Sequence, residues 1–149
     1  MPKSTNTCNS ILALMYNATT WPNVAINATA SPITSVEIAL HSTTPLAATD
    51  NQQENETTYP DYARIATNRA TGAGGWSAPS GGQTSNVGLL QGVKCGTTVS
   101  TFPCAYVSTG MSHTGASKVW HFGQLNSALA VAQNITPQFP NGNLVIQET

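Results

Sequence analysis

Charge is what this chain has least of. It carries five lysines and arginines against six acids, so charged residues make up 7% of the sequence and the formal net charge is −1. Globular domains average roughly 25% charged residues. Five scattered cations cannot neutralise a phosphate track, which argues against nucleic acid as a partner. Cysteine is scarce as well, and three is an odd number, so no disulfide framework is implied. Cys95 and Cys104 flank a short segment; they either meet across a hairpin or sit as two small reduced thiols, and the second reading is the simpler. No apolar run approaches the roughly 20 residues needed to span a bilayer, so no membrane partner is expected. The N-terminal stretch has one lysine and a broken apolar patch, too irregular for a secretion signal. Acceptor patterns for glycosylation at Asn17, Asn27, Asn55 and Asn134 then read as chance matches in a chain rich in Asn and Thr.

What is present points to sheets. The polar surface must come from Thr, Ser, Asn and Gln, and β-branched threonine suits an exposed sheet face. With 40% hydrophobic residues over 149 positions, the chain is a folded domain with one modest core, not a disordered one. Residues 35–45 form its clearest element. Val36, Ile38 and Leu40 alternate with Glu37, Ala39 and His41, which predicts a strand with an aliphatic face and a polar one. Pro45 cannot join a ladder, so the strand is expected to stop near Thr43 or Thr44. Residues 42–60 read as a long solvated loop, and a loop of that length is usually functional or mobile. A second strand is expected over residues 62–66. Further short apolar or alternating runs follow, separated by Gly, Pro, Ser or Asn about every ten residues, and that spacing indicates an all-β sandwich or barrel. One helix is predicted over residues 7–18, where Cys8, Ile11, Leu12 and Met15 share a face. The reading is an antiparallel β-sandwich, jelly-roll-like, over residues 34–149, preceded by a helix and arm over residues 1–33.

Chemistry-bearing residues do not converge. His41, His113 and His121 show no metal-binding spacing and no acid near them in sequence, so they read as histidines on solvated or interface faces. Most of the acids crowd into the 42–60 loop or beside it, and no serine-nucleophile elbow exists. The glycines at Gly72, Gly74 and Gly75 precede a Trp-Ser-Ala-Pro run instead of opening a helix, so they form a turn and no phosphate loop. No catalytic residue, metal or cofactor is expected. Trp120 reads as core. Trp21 is either core or interface: it follows the helix, whose small apolar face could dock on another subunit. Ile11, Leu12, Met15 and Trp21 are therefore the candidate interface residues.

Several short motifs in fixed order resemble a family of small β-rich structural proteins of tailed bacteriophages. They are Leu40-His41-Ser42-Thr43-Thr44-Pro45, Tyr59-Pro60-Asp61-Tyr62-Ala63-Arg64, Gly75-Trp76, Ser85-Asn86, Thr101-Phe102-Pro103, and Val119 through Leu129 with Ile135-Thr136-Pro137 after it. Together they reach across residues 34–146, and their order carries the signal. Pro60-Asp61 departs from the family's Thr-Gly-like turn. The resemblance implies a non-enzymatic virion protein made in the bacterial cytoplasm. Its expected role is capsid decoration, or cement: binding the outside of the head, contacting the major capsid protein, and working as a homotrimer at three-fold positions. A tail or tail-fibre component is the alternative within the virion. A carbohydrate-binding sandwich is the alternative of another class, and it requires Trp76 to lie open to solvent.

Overall fold

The computed structural model describes residues 2–44, 50–97 and 100–149. Its elements are α1 (Thr5–Tyr16), β1 (Ser35–His41), β2 (Ile65–Asn68), β3 (Gln83–Ser85), β4 (Leu90–Gln91), β5 (Phe102–Gly110), β6 (Val119–Val131), β7 (Gln138–Phe139) and β8 (Val145–Gln147). Strands dominate, with one short helix. A four-stranded sheet has the order β2-β1-β5-β6, and two-stranded sheets join β3 to β8 and β4 to β7. Pairing is antiparallel between β1 and β5, β5 and β6, and β3 and β8.

The chain divides into two compact units, each assembled from separated segments. The first comprises Met1–Ser35, Thr67–Leu90 and Phe139–Thr149; the second comprises Val36–Ala66 and Gln91–Gln138. The expected helix and arm, residues 1–33, fall within the first of these units.

In the first unit, α1 starts at Ser4, whose hydroxyl accepts from the Thr7 amide and satisfies one of the free N–H groups of the first turn. Its buried stripe is Cys8, Leu12 and Tyr16, a spacing of four. Tyr16 meets the fully buried Trp76 edge to face, with ring centroids 4.6 Å apart. The other end of the helix is capped from afar. Arg69 donates from Nε to the Met15 carbonyl at 2.7 Å and from Nη2 to that of Leu14, satisfying two C-terminal acceptors. Its Nη1 also reaches Asn27 Oδ1 at 2.6 Å and the Ile33 carbonyl at 3.2 Å, which ties the segment after the helix to the same guanidinium. Gly75 lies where a Cβ would stand 2.2 Å from the Ala70 carbonyl oxygen, so only glycine fits before Trp76.

A second hub is Asn86, fully buried. Its Nδ2 donates to the carbonyls of Gly88 and Pro140, and its Oδ1 accepts from the Leu144 amide at 2.9 Å. One side chain thus replaces the ladder that an irregular turn cannot supply.

In the second unit, β1 is buried along both faces from Val36 to His41. The expected alternation of a buried and a solvated face does not hold. Glu37 and His41 are as inaccessible as the aliphatic residues between them. The cover comes from residues 51–59, part of the segment expected to be a solvated loop. Gln52, Thr57 and Tyr59 are buried there, and the Thr57 amide donates to the Leu40 carbonyl at 2.9 Å. Residues 45–49 of that loop lie outside the described residues. The strand itself stops at His41, before the position that Pro45 suggested, and the second strand begins at Ile65.

Two short runs expected as separate strands, residues 118–122 and 128–131, are joined, and the strand expected over residues 105–110 begins earlier, at Phe102. Residues 102–110 form the single strand β5, and residues 119–131 form β6, which runs for 13 residues. Their register slips between Cys104 and Tyr106 and again between Thr109 and Gly110. Such irregularities interrupt the apolar alternation, so one bent strand reads in sequence as two.

Candidate functional site

The buried polar cluster of the second unit is the densest chemistry in the chain. Glu56 and Arg64 form a two-pronged ion pair, Nε to Oε1 and Nη2 to Oε2, both at 2.8 Å. Arg64 also donates to the carbonyls of Ser112 and Gly115, and its side chain is only 2% exposed. All three guanidinium nitrogens are therefore engaged, which a buried arginine requires. Burial works against the Arg64 charge, but the Glu56 carboxylate outweighs it and holds the guanidinium above its ordinary value. Tyr62 donates to Glu56 Oε1 at 2.7 Å and accepts from the Leu40 amide at 3.1 Å. Burial, and then the negative charge of Glu56, push that phenol far above its usual range. Glu37 Oε2 lies 2.9 Å from His113 Nδ1, in the turn whose Ser112 and Gly115 carbonyls Arg64 holds.

His41 and Ser108 have the distance of a catalytic dyad. His41 Nε2 is 2.7 Å from Ser108 Oγ, and its Nδ1 is 2.9 Å from the Glu54 carbonyl. A carbonyl only accepts, so Nδ1 carries the proton and Nε2 accepts from the serine. Burial lowers the His41 pKa, which favours this neutral ring. Both residues are at most 1% exposed, so no substrate reaches the hydroxyl. The pair is a strut between β1 and β5, and the expectation that His41 lies on a solvated face is overturned.

Beside this cluster, Gln53, Glu56, Thr57, Thr58, Tyr59, Asp61 and Tyr62 line a depression of about 380 Å³. It offers hydroxyls and carboxylates but no histidine, cysteine or lysine. Burial, with the Cys104 and Cys95 thiols nearby, pushes the Tyr59 phenol up to about 12, so it stays protonated and donates to the Val93 carbonyl. Cys95 and Cys104 are buried and free, and burial raises the Cys104 pKa, which disfavours the reactive thiolate. Among the described residues no group of three or more His, Cys, Asp or Glu could hold a metal ion.

The predicted interface residues divide. Leu12 is fully buried within its own unit, so it packs the core and is unavailable to a partner. Ile11, Met15 and Trp21 are half-buried. Trp21 closes a tight turn with Ala25, amide to carbonyl in both directions at 2.9 and 3.0 Å. That turn exposes two residues missed in sequence, Val24 at 65% and Ile26 at 73%. The signal was available: two β-branched residues two apart in an otherwise small and polar run. Trp120, expected in the core, is half-buried, whereas Trp76 is fully enclosed. An enclosed ring cannot serve as a sugar platform, so the carbohydrate-binding alternative loses its one support.

A scan against protein-family models finds no match, and a search of the curated proteins finds no relative. The residues of the chain itself carry the functional reading.

Proposed function

We propose that this chain is a non-enzymatic virion structural protein of a tailed bacteriophage. Its role in this reading is capsid decoration, binding the outside of the head and bridging major capsid subunits as a homotrimer, on a jelly-roll-like sandwich. The observation that carries the reading is where the resembling motifs lie. Leu40-His41, Tyr59 to Arg64, Gly75-Trp76 and Ser85-Asn86 coincide with the strut, the ion-pair cluster, the close backbone approach and the asparagine hub. Each motif is thus tied to the interior of its own unit, two in each, and motifs placed that way support common architecture more strongly than scattered identities would. A cement protein needs a rigid body, apolar and backbone contacts and few charges, and it stabilises by binding the assembled shell alone.

Quantitative mass spectrometry of purified particles tests the assignment. Head decoration requires copies on the order of hundreds, one set at each repeating shell position, with loss from isolated tails. Roughly a few dozen copies or fewer, retained on tails after the heads are removed, would establish the tail alternative instead.

A further inference from the structure

Asn141 is the one asparagine of the chain that is followed by glycine. That dipeptide has a chemistry of its own. No β-carbon shields the nitrogen of a glycine, so it can approach the Cγ of the preceding asparagine and displace the side-chain nitrogen. The structure sets the pair in a tight turn. The Asn143 amide donates to the Pro140 carbonyl at 3.0 Å, and Gly142 has a φ of 77°. Asn141 and Gly142 are therefore the two central residues, and a positive φ at the second favours glycine there. Both are exposed, so water reaches them.

Two hydrogen bonds oppose the reaction in the closed turn. The Gly142 amide donates to the Asn86 carbonyl at 2.9 Å, and Asn141 Oδ1 accepts from the Gly88 amide at 3.0 Å. The attacking nitrogen thus keeps its proton aimed at a carbonyl oxygen, which accepts a hydrogen bond but does not remove the proton. The side chain that must turn back on its own backbone is fastened to residue 88 instead. Asn86 clamps the rest of the corner: its Nδ2 donates to the Pro140 carbonyl and its Oδ1 accepts from the Leu144 amide, both at 2.9 Å. Residues 86–88 and 140–144 belong to the same unit of the fold.

We infer that Asn141 is a site of spontaneous modification whose rate is set by local opening of this corner. Once it opens, the Gly142 nitrogen loses its proton to hydroxide and attacks Asn141 Cγ. The new C–N bond closes a five-membered imide and the Cγ–Nδ2 bond breaks. The departing nitrogen takes a proton back from water and leaves as ammonia. Water then opens the imide at one carbonyl or the other, giving aspartate or isoaspartate. No oxidant is consumed. The two products differ in consequence. Aspartate keeps an oxygen for the Gly88 amide. Isoaspartate routes the main chain through the side-chain carbon and lengthens the turn by one methylene, so the Pro140–Asn143 and Asn86–Gly142 bonds cannot both re-form. Modification is then a one-way loosening of the turn beside the Asn86 hub. It needs no partner, so it stands or falls apart from the decoration role.

Peptide mapping by mass spectrometry tests this on the full chain, incubated at neutral pH both folded and in denaturing urea. Modification at Asn141 is expected to run at least about tenfold slower in the folded chain, because two hydrogen bonds must open first. Isoaspartate is expected in excess over aspartate, as hydrolysis of an imide gives. Urea added below the unfolding transition is expected to change the modification rate in parallel with hydrogen exchange of the Gly142 amide. The purified isoaspartate form is expected to unfold at lower urea than Asn141→Asp. A folded chain that reacts as fast as the unfolded one overturns the inference, as does aspartate as the sole product. Modification and exchange that part company along the urea series overturn the gating, and an isoaspartate form as stable as Asn141→Asp overturns the loosening.

Discussion

His41 decides how the second unit responds to acid. An imidazole in the unfolded chain protonates near pH 6.5, whereas burial in the folded chain lowers that value. Below about pH 6.5 the unfolded state therefore binds the extra proton, and folding stability falls as pH falls; above it the ring is neutral in both states and its contribution is flat. The urea midpoint, followed from about pH 8 to about pH 5, is expected to decline on the acid side. In His41→Gln the part of that slope owed to the imidazole disappears, although the variant is less stable throughout because Ser108 and the Glu54 carbonyl lose their partner. Equal acid slopes in the two proteins would refute this role for His41. Arg64 and Asn86 are comparable single-residue hubs, since each gathers acceptors from segments distant in sequence.

At the scale of elements, α1 belongs to a core and not to a detachable arm. Leu12 and Tyr16 are fully buried, and Arg69 ties the last carbonyls of the helix to the chain beyond it. Leu12→Ala is expected to destabilise by about 2–5 kcal/mol in chemical denaturation, the cost of a buried cavity. A loss below about 0.5 kcal/mol would instead mark Leu12 as a surface residue awaiting a partner. The helix was legible in the sequence because its apolar spacing is local, and its end at Tyr16 falls close to the predicted one. The mostly β architecture was legible for the same reason. What could not be read was the second cover on β1. Glu37 and His41 look like a polar face in sequence, and only the return of residues 51–59, with Gln52 donating to the Glu37 carbonyl, makes them interior. That contact is non-local, and period-two patterning is blind to it. Val24 and Ile26 did show locally, as two β-branched residues in a small and polar run, but that nothing covers them is again a non-local fact.

For the whole molecule, the shortage of charge is itself a statement about binding. Five cations and six anions are all the charge that 149 residues carry. Arg64 and Glu56 neutralise each other in the interior, and Lys118 pairs with Asp50 and Lys3 with Glu148 at the surface. Outside those three pairs stand Arg69, Lys94, Glu37, Glu54 and Asp61, a net charge of −1, too weak a field to steer the protein to a shell. If it decorates heads, the contacts are apolar and backbone in kind, and screening has little to act on. Binding of purified protein to undecorated heads is therefore expected to change by less than about threefold between about 0.05 and 0.5 M salt. A protein that reads a phosphate or acidic track would lose orders of magnitude over that interval. Sedimentation of heads with bound protein across the salt series measures it directly. A steep fall would mean that the few charged side chains, and not the uncharged surface, make the contact.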